Sequence, residues 1–329
     1  MYALSPKQEL EDTYIPGIPP SLTRYMISNA DKTFHTSGDY GLQLFQVIKS
    51  KSFEAWQIDF EIKTDTTFTT SAKEPDLDMH IAIQNDFKYT LNGIGEIILP
   101  QRRFNFTYSP LPEGNTKFEK DRHYQYIEIH PNLEVLKGLV SSFPILDKFL
   151  HNITKEKAVM LTRQHPSTTG DMLAIIYRIL YNSYEGPIKD LYLETKLFEL
   201  LVLGLHQSEQ TTTKPDAVSL SDYEKERIQE AKDYLITNMD NPCSISWLAK
   251  HLRLSERKLR LGFKQQYGTT PFDFMLEARL EKAMELLLTT HTPVQEMAAM
   301  TGYSYVPNFI AAFTKRFGQT PGSFLKKKA

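Results

Sequence analysis

Two hydrophobic rhythms divide the 329-residue chain. From about Gly41 to His130 apolar residues recur at every second position. Trp56, Ile58, Phe60 and Ile62 alternate with Gln57, Asp59 and Glu61. Met79, Ile81 and Ile83 alternate with His80, Ala82 and Gln84. Phe104 and Phe106 alternate with Arg103, Asn105 and Thr107, and the run from Arg122 to His130 alternates again. This period predicts strands with one buried face. Turn signals at Glu74-Pro75-Asp76, Asn92-Gly93 and Pro110 to Gly114 separate the runs. An antiparallel sandwich or barrel is therefore expected. Residues 1–38 carry Pro6, Pro16, Pro19 and Pro20 without a period, and read as an irregular arm.

After Pro131 the rhythm becomes helical. Leu133, Leu136, Val140 and Phe143 lie three and four apart, and a longer helix is expected from Thr169 to Asn182. Another is expected from Pro187 to Gln207, where Leu193, Leu197, Leu200, Leu201 and Leu205 form a stripe. Two readings of that stripe stay open. It packs against the strands, or it joins two copies of the chain with Leu193, Leu197 and Leu201 in the interface. The polar stretch from Gln210 to Asp216 reads as a linker. The chain thus divides into an arm (1–38), a strand-rich domain (39–209), a linker (210–220) and a helical domain (221–329).

The helical domain contains a repeat. Phe263-Lys-Gln-Gln-Tyr-Gly-Thr-Thr-Pro-Phe-Asp-Phe274 aligns without a gap to Phe313-Thr-Lys-Arg-Phe-Gly-Gln-Thr-Pro-Gly-Ser-Phe324, 50 positions later. Each copy reads as helix–turn–helix. In the first, Ser244 opens a short helix, Arg253-Leu-Ser255 turns, and Ser255 caps a second helix whose core pair is Leu259 and Phe263. Arg257, Arg260 and Lys264 then share a different face, at spacings of three and four. Such a triplet is commonly just solvated surface. Here it lies on the second helix, the one that enters a major groove. In the second copy the core pair is Phe309 and Phe313, and the exposed face is poorer: Tyr305, Val306, Asn308 and Ala311, then Lys315 and Arg316. A helix from Thr270 to Thr290 joins the copies.

Charge supports this division. The net charge is −2, yet from Asn241 onward there are 13 Lys+Arg against 6 Asp+Glu, leaving 25 against 34 for residues 1–240. An acidic body with a basic end suits a nucleic-acid-binding tail domain. The single cysteine, Cys243, excludes an intrachain disulfide and a cysteine-based metal site, and fits a reducing cytoplasm. No apolar run approaches the roughly 18 residues of a membrane span, so no membrane partner is expected. No Ser–His–Asp array, phosphate-cradling glycine loop or zinc-spaced cluster points to catalysis.

Over roughly residues 222–326 the chain resembles the AraC/XylS family of bacterial transcription regulators. The residues that carry this are Leu248-Ala249, Ser255-x-x-x-Leu259-x-x-x-Phe263, Gly268-x-x-Pro271, Arg279-Leu280-x-x-Ala283-x-x-Leu286-Leu287, Glu296-Met-Ala298, Gly302-Tyr303, Phe309-x-x-x-Phe313 and Gly318-x-Thr-Pro321. The chain departs from the family at Leu261, where many members carry Arg, and at Ala311, where many carry a polar side chain. The strings Lys258 to Lys264 and Ser304 to Phe313 are similar to the branch that contains pyochelin-type ferric-siderophore regulators. The resemblance implies an α+β protein: a cupin-like antiparallel β-barrel with helices, then an all-α domain of two helix–turn–helix motifs on a linker helix.

The expected function is a sequence-specific DNA-binding transcription regulator, an activator that answers to a small-molecule effector of unknown identity. Its expected partners are double-stranded promoter DNA, RNA polymerase and a second copy of itself. Two alternatives are a cupin-type metal-dependent enzyme with a DNA-binding appendage and a ligand-independent regulator. The DNA-binding candidates are Arg257, Lys258, Arg260, Lys264, Tyr305, Asn308, Lys315 and Arg316, with the Lys326–Lys328 tail on phosphates. For a ligand, the candidates are His80, Tyr124 and Tyr126, from the alternation Arg122, Tyr124, Tyr126, Glu128, His130. His80, His123 and His130 stand isolated, without the His-x-His of metal-binding cupins, so no metal, cofactor or catalytic residue is expected.

Overall fold

The computed structural model describes residues 2–4, 22, 25–27, 29–213, 220–241, 243–290 and 292–328. Its strands are β1 (Tyr2–Leu4), β2 (Lys32–Gly38), β3 (Gly41–Lys49), β4 (Phe53–Ile62), β5 (Thr66–Ser71), β6 (Asp76–Gln84), β7 (Phe87–Leu91), β8 (Gly95–Leu99), β9 (Phe104–Ser109), β10 (Glu113–Phe118), β11 (Arg122–Pro131) and β12 (Val159–Met160). Its helices are α1 (Leu133–Gly138), α2 (Ile145–Ile153), α3 (Gly170–Leu180), α4 (Gly186–Thr213), α5 (Asp222–Thr237), α6 (Ile245–His251), α7 (Glu256–Tyr267), α8 (Pro271–Thr289), α9 (Val294–Met300), α10 (Val306–Phe317) and α11 (Pro321–Lys328). They form two compact units. One holds the described residues of Met1–Leu22, Met26–Thr168 and Asn182–Thr213, and the other those of Thr23–Tyr25, Thr169–Tyr181 and Lys214–Ala329.

In the first unit the strands form two sheets, ordered β12-β9-β6-β11-β4-β3-β2 and β1-β5-β10-β7-β8. All pairings are antiparallel except β1 on β5. Among the described residues the sheets do not join into a closed barrel. Phe45, Phe60 and Tyr126 of the larger sheet meet Phe68, Phe87 and Phe118 of the smaller in a shared aromatic core. Aromatic rings stacked edge to face add to the apolar burial, by about 0.5–1.5 kcal/mol a pair; Phe87 and Tyr126 are such a pair, 4.4 Å apart.

The sequence pattern implies one wet face on the larger sheet, but both faces are covered. Gln57 and Asp59, on the polar side of β4, are as buried as their apolar neighbours. The Asp59 carboxylate accepts from Gln57 Nε2 at 2.9 Å and Gln125 Nε2 at 3.0 Å, and lies 2.9 Å from His123 Nε2. Such bonds make burial of a charge tolerable. Helix α4 covers the face that carries Met79 and Phe106: a Cβ at Gly204 would lie 2.9 Å from the Met79 methyl. The leucine stripe therefore packs inside one chain. Leu193, Leu197 and Leu201 are fully buried, which removes them from any interface between copies. The outward face of α4 instead exposes Ile188, Leu191 and Phe198.

Two boundaries differ from the pattern. Strand β2 occupies the end of the stretch expected to be irregular, pairing with β3 from Lys32 to Gly38. Helix α4 runs on to Thr213, with the Thr211 and Thr212 hydroxyls donating to the Gln207 and Glu209 carbonyls instead of opening a turn. Of the expected arm, residues 1, 5–21, 23–24 and 28 lie outside the described residues, as do linker residues 214–219.

The second unit is helical and includes α3, which sequence position assigns to the strand-rich part. The reason is packing: Tyr177 of α3 lies edge-on against Phe317 of α10 at 5.0 Å, and Arg178 donates to the Lys315 carbonyl at 3.0 Å. Helix α5 opens with a capping box, Ser221 with Glu224, as the pattern predicts. The connecting helix α8 has 19 residues and is about 28 Å long.

Candidate nucleic-acid interface and ligand cavity

The first helix–turn–helix is α6 and α7. Ser244 caps α6 by accepting from Trp247 N at 3.1 Å, and Ser255 caps α7 by accepting from Lys258 N at 3.2 Å. Leu259 and Phe263 point into a core with Ile228, Leu248 and Phe274. This anchors α7 with Arg257, Arg260 and Lys264 exposed on it. Arg260 keeps a loose ion pair with Glu256 at 3.7 Å. Arg257 and Lys264 have no ion-pair partner among the described residues. Lys258 differs: its ammonium bonds to Glu224 of α5, whose carboxyl that bond holds below the usual glutamate range.

The second copy is α9 and α10. Tyr305 provides no side-chain cap, and Pro307 sits in the first turn. Tyr305, Asn308 and Lys315 are exposed. Arg316 is not, which removes it from the expected DNA face. Its side chain is 3% exposed, with Nη2 2.6 Å from Glu277 of α8 and the guanidinium 4.6 Å from the Tyr177 ring. The side chains of Lys326–Lys328 lie outside the described residues.

In the strand unit, a cavity of about 120 Å³ is lined by Phe45, Trp56, Phe87, Tyr89, Tyr126, Asp76, Asp78, His80, Glu128 and His130 among others. Of the three ligand candidates, His80 and Tyr126 reach it. Tyr124 does not: its hydroxyl accepts from Glu119 N at 3.0 Å and its ring packs on Phe118. A register shift between Gln125 and Tyr126 separates the two tyrosines along the β11–β6 pairing.

What residue-by-residue reading missed is the acidic side of this cavity. Asp76, Asp78 and His80 share one face of β6, and Glu128 and His130 share one face of β11, with Glu128 directly opposite His80. The signal was present as Asp-x-Asp-x-His and Glu-x-His, but only strand pairing puts them together. His130 lies 3.0 Å from Asp76 and 3.5 Å from Glu128. Burial opposes charge on His130, yet these two carboxylates raise its pKa well above the ordinary value. Burial, then the Asp76 and Glu128 charges, push Asp78 well above the usual carboxylate range, while burial lowers His80.

Comparison with known proteins settles the family. The Regulatory protein PchR N-terminal domain matches residues 38–220, more than half of the chain, and a helix-turn-helix domain matches residues 248–327. The chain belongs to the PchR-type family of AraC-like regulators. Regulatory protein PchR of Pseudomonas aeruginosa is 32% identical over 116 residues, covering 35% of this chain and 39% of its own length. The raffinose operon transcriptional regulatory protein RafR of Pediococcus pentosaceus is 32% identical over 221 residues, covering 66% and 74%. A solved C-terminal domain of AraT, a response regulator from Geobacillus stearothermophilus, is 28% identical over 31% of this chain and 84% of that one, with a TM-score of 0.30. The helix-turn-helix match falls within the helical unit, on α6 to α11, and the chain spans well under half the length of PchR in that alignment. Among the described residues no helix is long and apolar enough to cross a membrane.

Proposed function

We propose that this regulator reads a specific operator mainly through α7 and activates transcription, with RNA polymerase as partner, in answer to a small effector bound between the two sheets of a cupin-like sensor unit. The observation that carries the reading is the exposed Arg257, Arg260 and Lys264 face on the second helix of a helix–turn–helix. Arginine pairs bidentately with guanine in the major groove, and lysine neutralises phosphate. The family points to regulation rather than catalysis. Cytoplasmic action follows from the same reading. The outward face of α4, with Ile188, Leu191 and Phe198, is the surface assigned to pairing two copies, since large exposed apolar side chains on one helix suit a partner.

Selection from randomised duplexes with the full chain tests this. The expected result is a defined consensus bound by a dimer in sedimentation velocity. Recovery of unrelated sequences bound with equal, strongly salt-dependent affinity sinks the specific-regulator reading.

A further inference from the structure

The sensor cavity concentrates acid where a neutral organic ligand needs none. Asp78, His80 and Glu128 place one ligand atom each within 4.8 Å of one another. They come from two adjacent strands in fixed register: Glu128 is paired with His80, and Asp78 lies two residues along β6 on the same face. Both faces of this sheet are covered, so the groups are not a solvated cluster. A second observation is independent of their proximity. His80 is 9% exposed, lines the cavity, and its Nε2 is buried with no hydrogen-bond partner among the described residues. Asp78 Oδ1 is buried and unpartnered in the same way. Buried polar atoms without partners are costly, so they persist where a ligand satisfies them.

We propose that Asp78, His80 and Glu128 bind a divalent first-row transition cation. One imidazole nitrogen with two carboxylates is a mixed nitrogen–oxygen donor set, which suits such ions better than the all-oxygen cages of calcium or magnesium. The surrounding groups fit the role of outer support. His130 bridges Asp76 and Glu128, which fixes the Glu128 carboxylate beside His80. The size fits too. About 120 Å³ holds an ion with a few waters or a very small co-ligand, whereas drug-sized ligands occupy roughly 300–1,000 Å³. The inference deepens the sensor reading by naming the ligand class of its cavity, and rests on that reading only for the claim that the ion regulates.

The test uses full-length protein stripped with a chelator and titrated with Co²⁺, followed by visible absorption, and with Mn²⁺, followed by electron paramagnetic resonance. One equivalent per chain is expected, with nitrogen coupling from a single imidazole in the bound Mn²⁺ signal. Asp78→Asn, His80→Asn and Glu128→Gln should each weaken binding by at least about tenfold, while His123→Gln, outside the cavity, should not. Stoichiometric binding that survives all three changes, or no binding by wild type, overturns the site. The nitrogen coupling is read on wild type alone, so misfolding of a variant does not remove the test. DNA affinity with and without the ion is measured separately. Binding without a change in operator affinity keeps the metal site and sinks its regulatory role. No binding, with effector-dependent regulation intact, sinks the metal site and keeps the sensor.

Discussion

The two helix–turn–helix copies share a scaffold and place their charge differently. Leu259, Phe263 and Tyr267 of α7 correspond, 50 positions on, to Phe309, Phe313 and Phe317 of α10, and all six are buried. Both helices end on a glycine at φ 76° and 78°. The cations do not correspond. Arg257, Lys258, Arg260 and Lys264 face Pro307, Asn308, Ile310 and Thr314 in the alignment, while Gln265 and Gln266 face Lys315 and Arg316. The first copy carries its arginines outward near the start and middle of the helix. The second turns its one arginine inward at the end, onto Glu277 of α8 and Tyr177 of α3. The apolar positions that pack each unit correspond between the copies, and the charged positions do not. The first copy keeps its arginines exposed; the second uses its arginine where α10 packs on α3 and α8.

The largest effect that would test this contrast is on stability. Arg316→Ala breaks the buried ion pair with Glu277 and removes the guanidinium from the Tyr177 ring, and breaking such a buried pair costs about 3–5 kcal/mol. Its counterpart change, Gln266→Ala, removes no ion pair and should cost less than about 1 kcal/mol. Urea unfolding of the full chain, followed by helical circular dichroism, measures both. Replacing the pair together, Arg316→Met with Glu277→Leu, should recover most of the loss, because an apolar pair avoids the desolvation that the ion pair suffers. Equal losses in Arg316→Ala and Gln266→Ala would remove the distinction between the copies.

A smaller effect concerns base reading. Arg257→Ala or Arg260→Ala should relax preference at one half of the operator, by about 1–3 kcal/mol for each guanine that is no longer paired. Asn308→Ala should relax the other half less, since α10 offers a single amide near its start. Lys315→Ala should leave base preference alone and flatten the salt dependence by about one phosphate. Operator selections with each variant decide this. Unchanged preferences in both arginine variants would reduce the α7 face to binding the DNA backbone.

Much of this is legible in the chain itself. The 50-residue repeat, the capping serines and the Leu259–Phe263 spacing locate α7 and orient it, because each rule is local. Arg316 stands seven positions after Phe309 and three after Phe313, so helical spacing turns it toward the core side, and it is the charge alone that suggests the outer face. Its burial depends on Glu277 and Tyr177, 39 and 139 positions away in the sequence, and spacing cannot see a partner helix. The leucine stripe leaves core and interface open for the same reason: periodicity shows that a face is apolar, not what covers it. In the strands, period two correctly separates Asp78 and His80 from Met79 and Ile81. It cannot show that a second sheet covers the polar face, nor that Glu128 lies opposite His80. Register is a pairwise property, and the acidic cavity is made of register.

The smallest effect separates Lys258 from its neighbours on α7. Its ammonium bonds to Glu224, which also accepts from Ser221 N at 3.0 Å in the α5 capping box. Glu224→Gln removes the negative charge and keeps an acceptor, and Gln serves in a capping box as Glu does. The start of α5 should therefore hold, and the melting transition should hardly move, since a pair whose lysine is half exposed contributes little. What changes is the ammonium, which loses its internal partner and becomes available to phosphate. A lysine that reaches one more phosphate steepens log K against log salt by about 0.9. Binding of the Glu224→Gln variant to a duplex of unrelated sequence, followed across a salt series, should show that steepening, and a further Lys258→Ala change should abolish it. If the slope of Glu224→Gln matches wild type, Lys258 belongs to the α5–α7 packing and not to the DNA face, and the reading surface of the first copy contracts to Arg257, Arg260 and Lys264.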